Sequence, residues 1–132
     1  MRRWLAAGAV FVLLSPGAAV AKSPNLIGAW GGPHAGIAFQ GGLADVQFDC
    51  ASGTIDVPVY PAKDGAFTAR GTFRAGKPGP VRVGQIFRSE PASYAGHVAK
   101  NVMTITITLD DGTAVGPYTL TQGAAPQLTR CL

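Results

Sequence analysis

Chemistry in this chain would have to come from a short set of side chains: His34, His97, Cys50, Cys131 and the aspartates Asp45, Asp49 and Asp56. Nucleophilic hydrolysis needs a serine or thiol beside a base and an oxyanion hole. No G-x-S-x-G is present, and the one Ser-Gly pair, Ser52-Gly53, reads as a tight turn. Zinc asks for three or four converging ligands, whereas His34 and His97 stand apart and neither has an H-x-H or H-E-x-x-H context. Calcium loops gather their oxygen ligands locally, whereas Asp45, Asp49 and Asp56 are spread over two segments with arginines close behind. A paired-carboxylate hydrolase wants two acids in one cleft, and these acids are expected to face arginines. No glycine-rich loop opens a helix to cradle phosphate. The residue types therefore point away from an enzyme and away from a metal or cofactor. His97 falls on the polar side of its segment, and His34, in a Gly/Pro turn, remains a candidate contact residue.

The two cysteines take their meaning from the N-terminus. Arg2 and Arg3 precede an apolar run at 4–14, and Ala19-Val20-Ala21 forms an A-x-A site. That is the layout of a secretory signal peptide over 1–21. The run is too short for a bilayer-spanning helix, so no membrane span is expected after processing. The paired arginines also permit a twin-arginine signal. The expected product is a periplasmic or extracellular chain of 111 residues, 22–132, enough for a single domain. In an oxidising compartment an even cysteine count favours pairing. A Cys50–Cys131 bridge would close a loop of about 80 residues and stabilise by about 4 kcal/mol in the chain-entropy description.

Processing also changes the charge. The full chain carries 11 Lys+Arg against 7 Asp+Glu, but Arg2 and Arg3 leave with the leader, so the mature balance is +2. Nucleic-acid binding, which shows a strongly basic face with motif support, is not expected. The charge is uneven: 22–62 carries −2, 63–100 carries +5 and 101–132 carries −1. Arg70, Arg74, Lys77, Arg82 and Arg88 could form a basic patch for an anionic envelope component or an acidic partner. Alternatively, cross-strand pairing of Asp49 and Asp56 with Arg70 and Arg74 would neutralise part of it, leaving Lys77, Arg82 and Arg88 as the contact candidates.

No helical periodicity appears after residue 22. Alternation with period 2, punctuated by Gly, Pro, Asn and Asp, predicts an all-β chain of eight to ten antiparallel strands. Segments 27–31, 35–40, 81–88 and 127–131 read as strands beside a series of hairpins. "ADVQFDCASGTIDVPVY" is expected to turn at Ser52-Gly53, setting Cys50 opposite Ile55, Phe48 opposite Val57 and Val46 opposite Val59, all apolar on one face. A three-residue loop, Lys63-Asp64-Gly65, then pairs Val59 with Ala69, Val57 with Gly71 and Ile55 with Phe73. "YAGHVAKNVMTITITL" is expected to turn at Lys100-Asn101, with Tyr94, Gly96 and Val98 against Ile107, Ile105 and Met103. A turn at Asp111-Gly112 sets Ile105 against Tyr118 and Met103 against Leu120. Such a meander closes most simply as a small up-and-down β-barrel, with a β-sandwich as the alternative.

Two resemblances follow from these residues. Gly28-Ala29-Trp30 on the opening strand, then a meander, then Arg130 on the last segment resembles the calycin arrangement of lipocalins and avidins. There the tryptophan plugs one barrel end and a late basic side chain packs over its indole. The resemblance implies Trp30 as a structural plug with Arg130 stacked on it, a cation–π contact of about 0.5–2 kcal/mol. Separately, "FDCASGTID", "YAGHVAKNVMTITITL" and "LTRCL" resemble a family of small uncharacterised bacterial exported proteins, which implies a periplasmic or secreted location.

The functional expectation is a non-catalytic exported binding module for an envelope component or a small apolar ligand. The alternative is a protein-interaction module, such as an inhibitor of an envelope or secreted hydrolase, working through rim loops at 75–80 and 89–93. Interior glycines and alanines (Ala69, Gly71, Gly96, Gly116) either leave room for an apolar ligand or admit Phe67, Phe73 and Tyr118 from facing strands. The oligomeric state is left open.

Overall fold

The computed structural model describes residues 25–76, 84 and 88–129. Eight strands follow one another in space as in sequence: β1 (Gly28–Gly32), β2 (Ala35–Gln40), β3 (Leu43–Phe48), β4 (Ala51–Ile55), β5 (Ala66–Ala75), β6 (Glu90–Ala99), β7 (Val102–Leu109) and β8 (Ala114–Gln122). Every neighbouring pair is antiparallel, and β8 returns to β1 through Trp30 opposite Gln122 and Gly31 opposite Thr121. The sheet is thus a closed up-and-down barrel, without helix among the described residues, rather than a sandwich. Closure leaves no sheet edge to be protected.

Alternation built it. On β7, Met103, Ile105 and Ile107 are buried while Thr104 and Thr108 are exposed. On β5, Phe67, Ala69, Gly71 and Phe73 face inward, alternating with exposed Ala66, Thr68, Arg70 and Arg74 and half-buried Thr72. The β6–β7 register matches the expected one, with Tyr94 opposite Ile107, Gly96 opposite Ile105 and Val98 opposite Met103. So does β7–β8, with Ile105 opposite Tyr118 and Met103 opposite Leu120.

Two expected registers are corrected. The β3–β4 hairpin turns at Asp49-Cys50, not at Ser52-Gly53, so Phe48 faces Ala51, Val46 faces Gly53 and Ala44 faces Ile55. Cys50 takes the left-handed conformation (φ 54°) that the turn requires. Gly53 sits in mid-strand because a Cβ there would overlap the Tyr94 hydroxyl. The β4–β5 ladder then shifts by two residues, placing Ile55 opposite Gly71 and Gly53 opposite Phe73. Both corrections move the pairing by an even number of residues, so the residues within the strands keep their expected faces, whereas Val57, expected inside, lies beyond β4 and is exposed. The Lys63-Asp64-Gly65 loop is as expected: Gly65 has φ 90°, and the Ala62 and Ala66 backbones meet across it.

The interior is filled by aromatics that reach into glycines. The Tyr94 hydroxyl donates to the Thr72 carbonyl at 2.6 Å from a fully buried position. Burial pushes its pKa well above the usual tyrosine value, with a smaller contribution from Asp56, so it remains a neutral donor. The Phe67 ring lies 2.8 Å from where a Cβ of Gly96 would be. Phe48 packs between Phe73 and Tyr118, with centroid separations of 5.4 Å to each. Gly96 and Gly53 thus admit a phenylalanine ring and a tyrosine hydroxyl, whereas the space at Gly71 is taken by the Thr54 carbonyl.

Because the sheet is a meander, its connections alternate between two ends. The β1–β2, β3–β4, β5–β6 and β7–β8 connections share one end, and the β2–β3, β4–β5 and β6–β7 connections share the other with Asn25. After β8 the chain leaves the sheet. Gly123 N–H donates to the Ala29 carbonyl at 2.7 Å, and Gln127 forms a single bridge with Pro33. Between these anchors the tail crosses the outer face of β1 and β2 at Gly31 and Gly36, which are paired with each other. A Cβ at Gly36 would lie 2.5 Å from the Pro126 Cβ, and one at Gly31 2.6 Å from the Pro126 nitrogen. The strand expected over 127–131 is therefore, where described, an outer strap, and β8 is the strand that closes the barrel. The strand expected over 81–88 lies outside the described residues except for Gly84, in a turn, and Arg88, outside any strand.

Candidate functional site

Polar side chains gather at the end that carries the β1–β2 and β3–β4 turns. His34 occupies the first turn with φ 69°. Its N–H donates to the Gln127 carbonyl at 2.9 Å, while Asp49 N–H donates to the His34 carbonyl at 3.3 Å. The backbone thereby ties both turns and the tail together. The Asp49 carboxylate completes the arrangement: Oδ2 meets His34 Nδ1 and Oδ1 accepts Thr129 N–H at 2.6 Å. The Thr129 N–H holds the Asp49 carboxyl below the usual carboxylate range, and the His34 ring adds to this against a desolvation cost. The His34 side chain is 63% exposed. Its contact with Asp49 joins the bonds that hold the tail at this end.

Beside these turns, the outer face of β3, β4 and β5 is concave and polar. A shallow cleft of about 380 Å³ is lined by Asp45, Gln47, Ser52, Thr54, Arg74 and Ser89. A second, of about 240 Å³, shares Ser52 and Arg74 with it and is also lined by Ala51 and Gly76. Arg74 stands opposite Ser52 on the β4–β5 ladder. Exposed Arg88 immediately precedes Ser89 on the return to β6. Of the expected contact residues, the structure places His34 and Arg88 at this end. Lys77 and Arg82 lie outside the described residues, in the β5–β6 connection that leaves from and returns to it.

No family model, curated protein or solved structure matches the chain. The geometry alone therefore carries the functional reading.

The expected carboxylate–arginine pairing on the outer face takes a different form. Asp49 is a turn residue and does not oppose Asp56. The Asp56 carboxylate accepts the Thr54 hydroxyl at 2.8 Å, and that hydroxyl also meets Thr72 at 2.8 Å. Among the described residues no three metal-ligating side chains converge. His97 is exposed on the outer face of β6, as expected. Trp30 is buried, and its indole N–H donates to the Ile27 carbonyl at 3.3 Å, toward the opposite end of the barrel. Arg130 and Cys131 lie outside the described residues.

Asp49 as the anchor of the tail was not read from the sequence. Its signal was local: an aspartate in a two-residue turn facing a histidine turn, each at the same barrel end. The Gly31/Gly36 notch was also missed, because glycines in a strand suggest close approach without saying of what.

Proposed function

We propose that the chain is an exported, non-catalytic binding module that engages an anionic envelope component through its polar end. The observation that carries this reading is the filled interior. Tyr94 and Phe67 take up the interior space beside Gly53 and Gly96, which favours recognition on the outside, where the Arg74 cleft includes Ser89, the neighbour of Arg88. Lys77 and Arg82 belong to the same basic stretch of sequence. Guanidinium groups beside serine and threonine hydroxyls suit phosphate or carboxylate groups on a polymer.

Export brings the cysteines into the same reading. Thr129 is held on Asp49, the neighbour of Cys50, and only one residue, Arg130, separates it from the tail cysteine. This supports a Cys50–Cys131 bridge that locks the strap, with Trp30 as the buried plug. Mass spectrometry before and after reduction and alkylation tests the bridge, and two alkylated thiols without reduction would exclude it.

The binding test is titration calorimetry of the exported protein with soluble anionic peptidoglycan fragments at several salt concentrations. The expected result is salt-sensitive binding that weakens about tenfold in Arg74→Glu/Arg88→Glu. Binding unaffected by charge reversal would reject the polar end. A stable hydrolase partner captured instead, and lost in the same variant, would move the reading to the inhibitor alternative.

A further inference from the structure

The end opposite the polar site carries a different surface. Of the six exposed large hydrophobic residues among those described, five lie there: Ile27 (67% exposed), Leu43 (55%), Val57, Tyr60 (57%) and Val102. They come from separate segments drawn together around the barrel mouth. Leu26 N–H donates to the Val59 carbonyl at 2.9 Å, which brings the start of β1 against the β4–β5 connection. Pro58 packs over Gly42, next to Leu43. On the far side of the mouth, Gln122 N–H donates to the Asn101 carbonyl at 2.9 Å, beside Val102. Leu43 and Val102 stand beside turns, Val57 and Tyr60 on the β4–β5 connection, and Ile27 on the segment that leads into β1.

We infer that this end rests on a lipid surface that contains anionic headgroups. Two observations select that occupant. The first is the chemistry of the tips. Aliphatic side chains and a tyrosine stand beside exposed Lys63 and Lys100 at the summits of neighbouring turns. The acids nearby are engaged within the protein: Asp64 accepts Ala66 N–H at 3.0 Å and Asp56 accepts the Thr54 hydroxyl. Apolar tips flanked by lysines, with an aromatic ring at the boundary, match the headgroup–acyl boundary of a bilayer. The second is where the chain comes from. The described fold begins at Asn25 on this same end, and residues 15–24 join it to the apolar run at 4–14. Ten residues reach at most about 36 Å. Until the leader is cleaved, an apolar run held at the membrane therefore keeps this end within that reach of the bilayer.

The test is flotation of the exported protein, as recovered from its own cells, with vesicles of phosphatidylethanolamine and phosphatidylglycerol, and with phosphatidylcholine alone. The unsubstituted protein should float with the anionic vesicles. The vesicle-bound ratio should fall about tenfold or more in Ile27→Asp/Leu43→Asp/Tyr60→Asp, and less in Lys63→Glu/Lys100→Glu. Both variants are compared with a parent bearing the same N-terminus, so binding through the leader alone would leave them unchanged and would overturn the inference. An alanine triple variant at the same positions serves if the aspartate variant fails to melt cooperatively. Absence of flotation by the parent would also overturn it. So would a dimer in sedimentation velocity, abolished by the triple variant without any vesicle binding, which would assign the patch to a second copy of the chain.

Discussion

The two ends of the barrel are built on opposite principles. At the polar end, short turns are cross-linked by backbone and side-chain hydrogen bonds, with His34, Asp49, Gln127 and Thr129 forming one connected set. At the other end the β2–β3 and β6–β7 turns are equally short, and the bonds that cross it among the described residues, such as Leu26 to Val59 and Gln122 to Asn101, run between backbones. Val59 is buried there while its neighbours Val57 and Tyr60 face solvent. One end spends its polar groups on holding the tail, and the other leaves apolar groups uncovered. Hydrogen bonds to a carboxylate are directional and pH-dependent, whereas apolar tips are neither. The ends should therefore respond differently to substitution and to acid.

Trp30→Ala should give the largest effect. It removes a nearly fully buried indole and should cost about 3–5 kcal/mol in a urea melt. If the loss stayed below about 1 kcal/mol, the apolar end would be an open mouth without a plugged floor. Next comes Gly36→Val, which drives a side chain into Pro126. We expect a loss of about 1–3 kcal/mol, with faster amide exchange at Gln127 and Thr129, and with β6–β7 exchange little changed. Asp49→Asn should act locally, lowering the melting temperature less and exposing the Thr129 amide. The Asp49 carboxyl titrates below its ordinary 3.8 in the fold. Its contribution is therefore complete above that value and fades as pH falls through the lowered folded one. Melting temperatures from pH 6 down to 2 should show this, with the acid-side slope shallower in Asp49→Asn. Asp111 is also lowered, by Thr113 N–H, so some slope remains. Tyr60→Ser should be smallest, within about 0.5 kcal/mol, since the ring is exposed. A large loss there would mean that the apolar end is held by its own tips.

The sequence made the β6–β8 half legible and the β3–β5 part only half so. Lys100-Asn101 and Asp111-Gly112 are strong turn signals between long alternating strands, so pattern and turn chemistry agreed on one register. In 43–66 they disagreed. Ser52-Gly53 has turn chemistry, yet Gly53 is small because the Tyr94 hydroxyl occupies its side-chain space, a long-range demand that no local window contains. Asp49-Cys50 turns through a cysteine with positive φ, a residue type that rarely marks a turn. Within the strands faces survived because alternation fixes parity independently of register, while Val57, past the end of β4, faces solvent. The candidate site was legible in its charges and not in its architecture. Basic residues between 70 and 88 stood out by composition, whereas the Asp49 anchor depends on a tail 80 positions away in the chain. The apolar tips escaped notice because singly exposed hydrophobics look ordinary, and only the topology shows that five share one end.

The strap has a practical consequence for handling the protein. Asn25 stands at one end of the barrel, while Thr129, after the strap has run the length of β1, stands at the other. The termini are thus directional handles. Immobilising the protein on a sensor chip by its N-terminus would bury the apolar tips against the matrix and display His34 and Arg74. Immobilising it by its C-terminus would do the reverse. A ligand screen run in both orientations would assign each hit to a barrel end before any mutation is made.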